Sequence, residues 1–352
     1  MAAQTITIDV DTLSEAMKAF AKVEKNWIST EFAKATGSSL DQYARTITKV
    51  QGEYKAFHSI LGHVVQGFDP SWNALGKIEI KEKNLRNYHQ KVNYPIIPVE
   101  VRGTVFGELY DEGVTDITMK QVTKKVLEDL ALTVTDDCEI LAYHGEYDEN
   151  KLKQFGYSMN GMNKVVNNLV STGKGYRIPI TAISSTNAVD EIEKFELALP
   201  KFLKNKIKEI HVSESVAEKY SIDYRNTFGQ NTDYKTEDGF KSPLGKRTII
   251  GHPDQADDII WATVDRNFLK LVDILQKPTI TSVQIQDYAV KVFMEWSIGY
   301  DFLIDAAVVV GNFSNTEKGL TDKELEKKLF PHEDFKLDPA APVDEGDEGL
   351  GE

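Results

Sequence analysis

A single long amphipathic helix constrains the fold of this chain more than any other sequence feature. Thr118 and Gln121 have the spacing of a capping box, the reciprocal side-chain cap at the start of a helix. Apolar residues then recur on one helical face: Val122, Val126, Leu130, Val134, Cys138 and Leu141. The pattern predicts a helix over residues 118–142, a rod of roughly 37 Å at 1.5 Å per residue. The fold must therefore contain a helix much longer than the average one.

The residues before this helix carry helical periodicity as well. We predict two amphipathic helices, over 11–35 and 39–62, separated by the break at Thr36-Gly37-Ser38-Ser39. Their apolar residues form stripes that need a partner surface. The prediction for this region is a helical arm without a core of its own.

Between the arm and the long helix, residues 77–112 alternate between apolar and polar side chains. This pattern predicts two long strands that flank a charged turn near Asn84–Asn87 and form an extended β-hairpin. Pro95 and Pro98 are tolerated because such strands are edges. A two-stranded projection buries little apolar surface by itself, so we expect it to lie on another subunit.

The remainder of the chain mixes short helices and strands, and the class is α+β. After a loop that begins at residue 145, we predict a helix over 187–199, a short strand IKEIHV and a helix capped by Ser213. TIIG, DIIWAT and NFLKLVD predict three strands, and residues 278–311 predict a long strand and its return. A charged helix, TDKELEKKLF, precedes an acidic tail that we expect to be disordered.

Composition narrows the possible partners. The 352 residues carry a net charge of -14, which argues against generic binding to the phosphate backbone of nucleic acids. Cys138 is the single cysteine, which excludes an intrachain disulfide and suits a reducing compartment. No apolar run approaches the roughly 20 residues that span a bilayer, and the first residues lack a basic and apolar leader. We therefore expect no membrane association and no export.

Motifs for nucleotide binding and hydrolysis are not matched. In SPLGKRT the residue after Lys246 is Arg247, where a Walker loop needs Ser or Thr, and GYSMNG has one residue too many for a nucleophile elbow. The seven histidines form no HExxH pattern. The sequence predicts no catalytic, cofactor-binding or metal site and no enzymatic activity.

One cluster leaves an alternative open. His252, Asp254, Asp257 and Asp258 lie within seven residues, ahead of the apolar run IIW. Carboxylates near an imidazole are ligands for a divalent cation, so a metal-dependent hydrolase that uses His252, Asp254 and Asp258 is the second hypothesis. If the strand begins at the aspartates, Asp257 and Asp258 point to opposite sides and do not converge. We favour a polar loop that enters a strand.

The order of these segments resembles the major capsid protein of tailed bacteriophages, with its Hong Kong 97-type fold. The resemblance covers about residues 67–312 and rests on four stretches: DDCEILAYHGEYDENKLKQFGYSMNGM, NAVDEIEKFELALPKFL with IKEIHVSESVAEKY, SPLGKRTIIGHPDQADDIIWATVDRNFLKLVD, and VKVFMEWSIGYDFLIDAAVVVG. They resemble the end of the family's spine helix, its axial domain, the loop and strand that follow, and the closing strand pair of its peripheral domain.

The resemblance implies a domain organisation. Its parts are an N-terminal helical arm (1–66), an extended hairpin loop (67–113), a peripheral domain with the spine helix (114–179), an axial domain (180–265), return strands of the peripheral domain (266–320) and an acidic tail (321–352).

The resemblance also implies a structural function without catalysis: pentamers and hexamers of one subunit that form an icosahedral shell around double-stranded DNA, without sequence-specific binding. The implied partners are scaffolding, portal and decoration proteins, and the implied location is the virion, after assembly in the bacterial cytoplasm. A tail or sheath subunit is a further alternative.

Some members of the family crosslink subunits through Lys and Asn side chains. The loop of this chain holds Lys81, Lys83, Asn84 and Lys91. The sequence places no catalytic acid beside them, so we do not predict that chemistry.

Overall fold

The computed structural model contains two mixed sheets, a long helix and a two-stranded ribbon. It describes residues 9–61, 64–68, 70, 72, 78–101, 118–229, 235–236, 239–273, 279–314, 316–331 and 333. The helices are α1 (Val10–Val23), α2 (Lys25–Ala35), α3 (Met119–His144), α4 (Met162–Thr172), α5 (Ala188–Leu197), α6 (Lys201–Lys204), α7 (Glu214–Phe228) and α8 (Lys323–Leu329).

The strands complete the described elements. They are β1 (Arg45–Ile47), β2 (Glu53–Leu61), β3 (Ile78–Arg86), β4 (Tyr88–Ile96), β5 (Tyr176–Pro179), β6 (Glu209–Ser213), β7 (Phe240–Lys241), β8 (Thr248–His252), β9 (Trp261–Thr263), β10 (Phe268–Val272), β11 (Thr279–Gln286), β12 (Ala289–Phe302) and β13 (Val308–Asn312).

Helix α3 confirms the predicted long helix. The backbone N–H of Thr118 donates to Gln121 Oε1 at 2.8 Å, and the N–H of Gln121 donates to Thr118 Oγ1, so the capping box is complete. The predicted apolar face is buried along the whole helix. Helices α1, α2 and α4 of the same chain pack against it.

The first predicted helix is confirmed with one interruption, at Glu24, between α1 and α2. Its apolar residues are buried within the same chain, however, and need no second molecule to cover them. Leu13, Met17 and Phe32 are at most 1% exposed, because α1 and α2 pack against α3 and β11 of the same chain. The partner surface that the stripe needs is thus supplied by the same chain.

The second predicted helix, over 39–62, is wrong. Only a short 3-10 turn, Ser39–Gln42, is present, and β1 and β2 follow it. Gly52 has φ +74°, a left-handed conformation that interrupts any helix and that glycine adopts without steric cost. After Gly52, β2 pairs with β3 in an antiparallel ladder of nine residue pairs. This long-range pairing overrides the helical spacing of the apolar residues.

The two predicted strands near Asn84–Asn87 exist as β3 and β4, but they do not form a hairpin with each other. Asn87 alone separates them, and its side-chain amide donates to Val50 O at 2.8 Å. Strand β3 pairs with β2 as a separate ribbon, whereas β4 pairs with β12. The hairpin is thus β2–β3, and residues 102–112 of the predicted segment lie outside the described residues.

Strand β12 organises the five-stranded sheet. It pairs antiparallel with β4, β11 and β10, and β1 joins β10 in parallel. Its burial alternates along most of its 14 residues. One face of this sheet packs against the cluster that includes α1, α2 and α3. The predicted long strand and its return are β12 and β11.

The six-stranded sheet has the order β5-β13-β9-β6-β8-β7. Its elements confirm the predicted strands around IKEIHV, TIIG and IIWAT, and Ser213 caps α7 by accepting from the N–H of Val216 at 3.1 Å. Helices α5 and α7 cover its core. Strand β13, which we expected among the return strands, lies in this sheet between β5 and β9.

Helix α8 confirms the predicted charged helix near the end of the chain. The expected disordered tail begins at Pro331, and its residues 332 and 334–352 lie outside the described residues. Among the helices that are described, none is long and apolar enough to cross a membrane.

Candidate functional site

The β2–β3 ribbon has two different faces. Directly opposed residues of an antiparallel pair share a face, and successive residues alternate between faces. On the inner face, Ala56 and Ile60 are at most 4% exposed. On the outer face, Phe57, Ile78 and Ile80 are more than 60% exposed. The ribbon therefore rests on the body by one face and presents apolar side chains on the other.

The described residues of the connection between β2 and β3 extend this apolar character. Val65, Phe68 and Trp72 are each at least 89% exposed. Isolated exposed apolar residues are ordinary, but a contiguous apolar group on one projection is typical of an interaction surface. We call Phe57, Ile78 and Ile80 the outer ribbon face.

The root of the ribbon is fixed by a partly buried ion cluster. Lys83 Nζ donates to Asp301 Oδ1 at 2.7 Å, to the backbone O of Phe302 at 2.7 Å, and to Asp305. Burial alone would lower the pKa of Lys83, but the two carboxylates raise it above its usual value, so Lys83 remains an ammonium. Further along β3, Glu79 forms an ion pair with Lys328 of α8. These contacts join the ribbon to the rest of the chain.

The other lysines and the asparagine considered for crosslinking lie elsewhere on these strands. Lys81 is opposite His58 on the inner face, and Asn84 is opposite Lys55 on the outer face. Lys91 is exposed on β4, in the other sheet. The structure therefore does not bring Lys91 together with Lys81, Lys83 and Asn84 of β3.

The predicted cluster at the end of β8 is divided between a buried histidine, the last residue of the strand, and a surface loop. His252 is 1% exposed. Its Nδ1 lies 2.9 Å from Tyr143 OH, and its Nε2 lies 2.9 Å from His211 Nδ1. Burial lowers the pKa of His252 to about 4, so the ring is neutral at pH 7. Both ring nitrogens are engaged within the protein.

The hydrogen-bond chain continues from His252 towards the surface. Tyr143 OH lies 2.8 Å from Ser39 Oγ, and Ser39 Oγ donates to Glu139 Oε1 at 2.5 Å. The chain links the six-stranded sheet, the end of α3 and the turn after α2. On its other side the ring of His211 stacks on Trp261, with the ring centroids 3.8 Å apart. We call these five residues, His211, His252, Tyr143, Ser39 and Glu139, the histidine relay.

The three aspartates are in the loop, because the strand begins only at Trp261. Asp257 accepts from Ser213 Oγ at 2.6 Å, Ser215 Oγ at 3.0 Å and Lys219 Nζ at 2.8 Å. The hydrogen bond from Lys219 comes first among the contacts that lower the pKa of Asp257. Asp257 thus fixes the loop to the start of α7.

The other members of the cluster do not face His252. Asp254 Oδ1 is 4.0 Å from His144 Nε2, and Asp258 is exposed. Ile259, Ile260 and Trp261 are at most 2% exposed and enter the core, as expected for a polar loop ahead of a strand. Within the described ranges, no three His, Cys, Asp or Glu side chains are grouped in a way that could hold a metal ion.

Two features of this region have no local signal in the sequence. His211 and His252 are 41 residues apart and meet because β6 and β8 are neighbouring parallel strands. Gln255, 4% exposed, holds the loop by donating to Ile259 O at 2.8 Å and accepting from Trp261 Nε1 at 3.0 Å. A buried amide within a polar stretch cannot be distinguished from an exposed one by its neighbours in sequence.

Comparison with known proteins identifies the fold. The capsid of a native GTA particle is similar to this chain with a TM-score of 0.51 and 10% identity over 79% of this chain and 97% of its own. The capsid of cyanophage A-1(L) has a TM-score of 0.50 and 12% identity over 78% of this chain and 91% of its own. The chain has the fold of tailed-phage capsid proteins.

The phage-capsid fold confirms, at the level of structure, the resemblance seen in the sequence. At these identities the comparison establishes the fold alone. No protein-family model matches the chain, and no curated protein sequence matches it.

Proposed function

We propose that this protein is the structural subunit of an icosahedral viral capsid, with the Hong Kong 97-type arrangement, and that it has no enzymatic activity. In this proposal the subunits self-assemble into pentamers and hexamers, which form the shell around a double-stranded DNA genome. The location is the virion, after assembly in the cytoplasm of a bacterial host. Scaffolding, portal and decoration proteins are the proposed further partners.

The observation that carries this proposal is the outer ribbon face. Phe57, Ile78 and Ile80 are apolar and exposed on a ribbon whose other face already rests on the body. Exposed apolar surface on a projecting element is costly for a monomer and is stabilised when a neighbouring molecule covers it. A shell made of many copies supplies such a neighbour to every subunit.

The proposed domain organisation keeps the ranges of the sequence prediction: 1–66, 67–113, 114–179, 180–265, 266–320 and 321–352. The net charge of -14 is compatible with a shell that encloses DNA without binding it tightly, because an acidic surface repels the phosphates of DNA. The metal-dependent hydrolase has less support, since both nitrogens of His252 are engaged by Tyr143 and His211.

Sedimentation velocity of the purified full chain tests the proposal. Pentamers, hexamers or larger closed particles are expected as concentration rises, alone or with a coexpressed scaffolding protein. A chain that sediments as a monomer at every concentration, both alone and with that partner, contradicts the proposal. Open tubes or single rings would instead favour a tail or sheath subunit.

A further inference from the structure

A cationic cavity lies at the inner end of the histidine relay, and nothing in the capsid proposal accounts for it. The cavity has a volume of about 160 Å³, and its lining includes Tyr43, Lys206, Lys208, His211 and Arg266. Its volume is close to that of a protein cavity of roughly 150 Å³ that accepts benzene. A ligand of five or six non-hydrogen atoms therefore fits.

The backbone explains why the cations meet here. Ile207 and Val264 form an isolated antiparallel bridge. This bridge brings Lys206 and Lys208, on either side of Ile207, next to the turn that contains Arg266. Arg266 has φ +64°, a left-handed conformation that is uncommon for a residue with a side chain.

The three cations are not neutralised individually. No described carboxylate lies within ion-pair distance of Lys206, Lys208 or Arg266, and Lys206 Nζ instead lies 3.6 Å from the centroid of the Phe202 ring. Two carboxylates, Glu209 and Asp265, also line the cavity, and Glu209 Oε2 is 3.8 Å from His211 Nε2. The lining has one positive charge in excess when His211 is neutral.

The relay fixes which nitrogen of His211 carries a hydrogen. Ser39 Oγ donates to the carboxylate of Glu139, so Tyr143 OH must donate to Ser39. The Nδ1–H of His252 must then donate to Tyr143, and its Nε2 must accept from His211 Nδ1. A neutral imidazole has one donor and one acceptor, which leaves His211 Nε2 as an acceptor.

His211 is held in this neutral form. Burial, with the neighbouring His252 as a second cause, lowers the pKa of His211 well below its usual value. The cavity thus combines ammonium and guanidinium donors with one buried acceptor. A matching ligand has several anionic oxygens and one hydroxyl hydrogen.

We propose that this cavity binds a hydrogen phosphate group, either as inorganic phosphate or as a terminal phosphate monoester. The anionic oxygens accept from Lys206, Lys208 and the planar fork of Arg266. The P–O–H group donates to His211 Nε2. Sulfate has the same shape but carries no hydrogen at pH 6. An internal phosphodiester of DNA also lacks one, so both ligands leave His211 Nε2 without a hydrogen-bond donor. The proposal does not depend on shell assembly.

Isothermal titration calorimetry of the full chain at pH 6 and constant ionic strength tests the proposal. At this pH a phosphate monoester is roughly half protonated on its second oxygen. Inorganic phosphate and a nucleoside 5′-monophosphate are expected to bind at least about tenfold more tightly than sulfate or an oligonucleotide with hydroxyl ends, because each of the latter leaves a buried acceptor unpaired. Binding of phosphate but not of the monophosphate identifies the free ion as the ligand.

Two variants make the test specific to the cavity. Arg266→Gly removes the guanidinium and places glycine where φ is positive, so the turn is preserved; it is expected to weaken phosphate binding at least about tenfold. Lys246→Gln removes an exposed lysine outside the cavity and is expected to leave binding unchanged. Equal binding of sulfate and phosphate, no detectable binding of phosphate, or equal losses in the two variants would overturn the proposal.

Discussion

Lys83 Nζ lies 2.7 Å from Asp301 Oδ1, and this contact joins the root of the β2–β3 ribbon to the end of β12. Asp305 and the carbonyl oxygen of Phe302 complete the set of acceptors around the ammonium. Removal of the lysine leaves two carboxylates close together, with little water to solvate them. The position of the outer ribbon face depends on this cluster.

Lys83→Met is therefore expected to destabilise the chain by about 3 kcal/mol or more, the usual cost of breaking a largely buried ion pair from one side. Chemical denaturation measures the free energy of unfolding. Lys81→Met, an exposed lysine on the same strand, is the control and is expected to change it by less than about 0.5 kcal/mol. Equal effects of the two substitutions would show that the cluster contributes nothing specific.

The histidine relay makes the chain sensitive to acid. The pKa of His252 is about 4 in the folded chain, whereas an unperturbed histidine has a pKa near 6.5. The unfolded chain binds the proton first as the pH falls, so the free energy of unfolding decreases between about pH 6.5 and pH 4 and is constant with respect to this group above that window. Each pKa unit corresponds to about 1.4 kcal/mol.

Thermal or chemical unfolding at several pH values measures this slope. His252→Gln is expected to flatten the decrease between about pH 6.5 and pH 4, whereas His144→Gln, which removes an exposed histidine, is expected to preserve it. Wild-type stability that does not change across this window would contradict the assignment of a neutral, buried relay.

The capping box of α3 gives a test of the local sequence rule. Thr118→Ala removes the side-chain acceptor at the helix start and is expected to cost about 1 kcal/mol. Thr133→Ala removes an exposed threonine in the middle of the same helix, where its hydroxyl bonds back to Asp129 O at 3.1 Å. Because alanine has the higher helix propensity, this control is expected to be neutral or slightly stabilising. Losses of the same size in both variants would contradict the cap.

Elements whose bonds are local could be predicted from the sequence. The cap at Thr118 and the apolar face that follows it need only neighbours within one helix, and α3 formed as expected. The cap of α7 by Ser213 is equally local, and it also formed as expected. Strand existence was also readable, as β3 and β4 show.

Pairing between distant segments could not be predicted. Tyr54 and Phe57 have helical spacing, and only the pairing of β2 with β3, which begins 17 residues beyond the end of β2, makes this segment a strand. Nothing near Asn87 indicates that β3 and β4 belong to different sheets. The site shows the same limit: the sequence places Asp257 in a polar loop, but its partners Ser213 and Lys219 are 44 and 38 residues away along the chain.

The outer ribbon face makes a prediction about assembly. Ile80→Glu places a charge in the centre of this face and is expected to abolish assembly in sedimentation velocity while changing the stability of the monomer by less than about 0.5 kcal/mol. Asn84→Glu places the same charge on the same strand and face, near the root, and is expected to preserve assembly. If Ile80→Glu assembles as well as the wild type, this face does not form the interface.

Electron microscopy of the purified full chain, with and without a coexpressed scaffolding protein, tests the central claim most directly. Closed icosahedral shells built from pentamers and hexamers are the expected result. Only monomers under both conditions, or only open tubes and rings, would contradict the claim that this phage-capsid fold serves as the subunit of a shell.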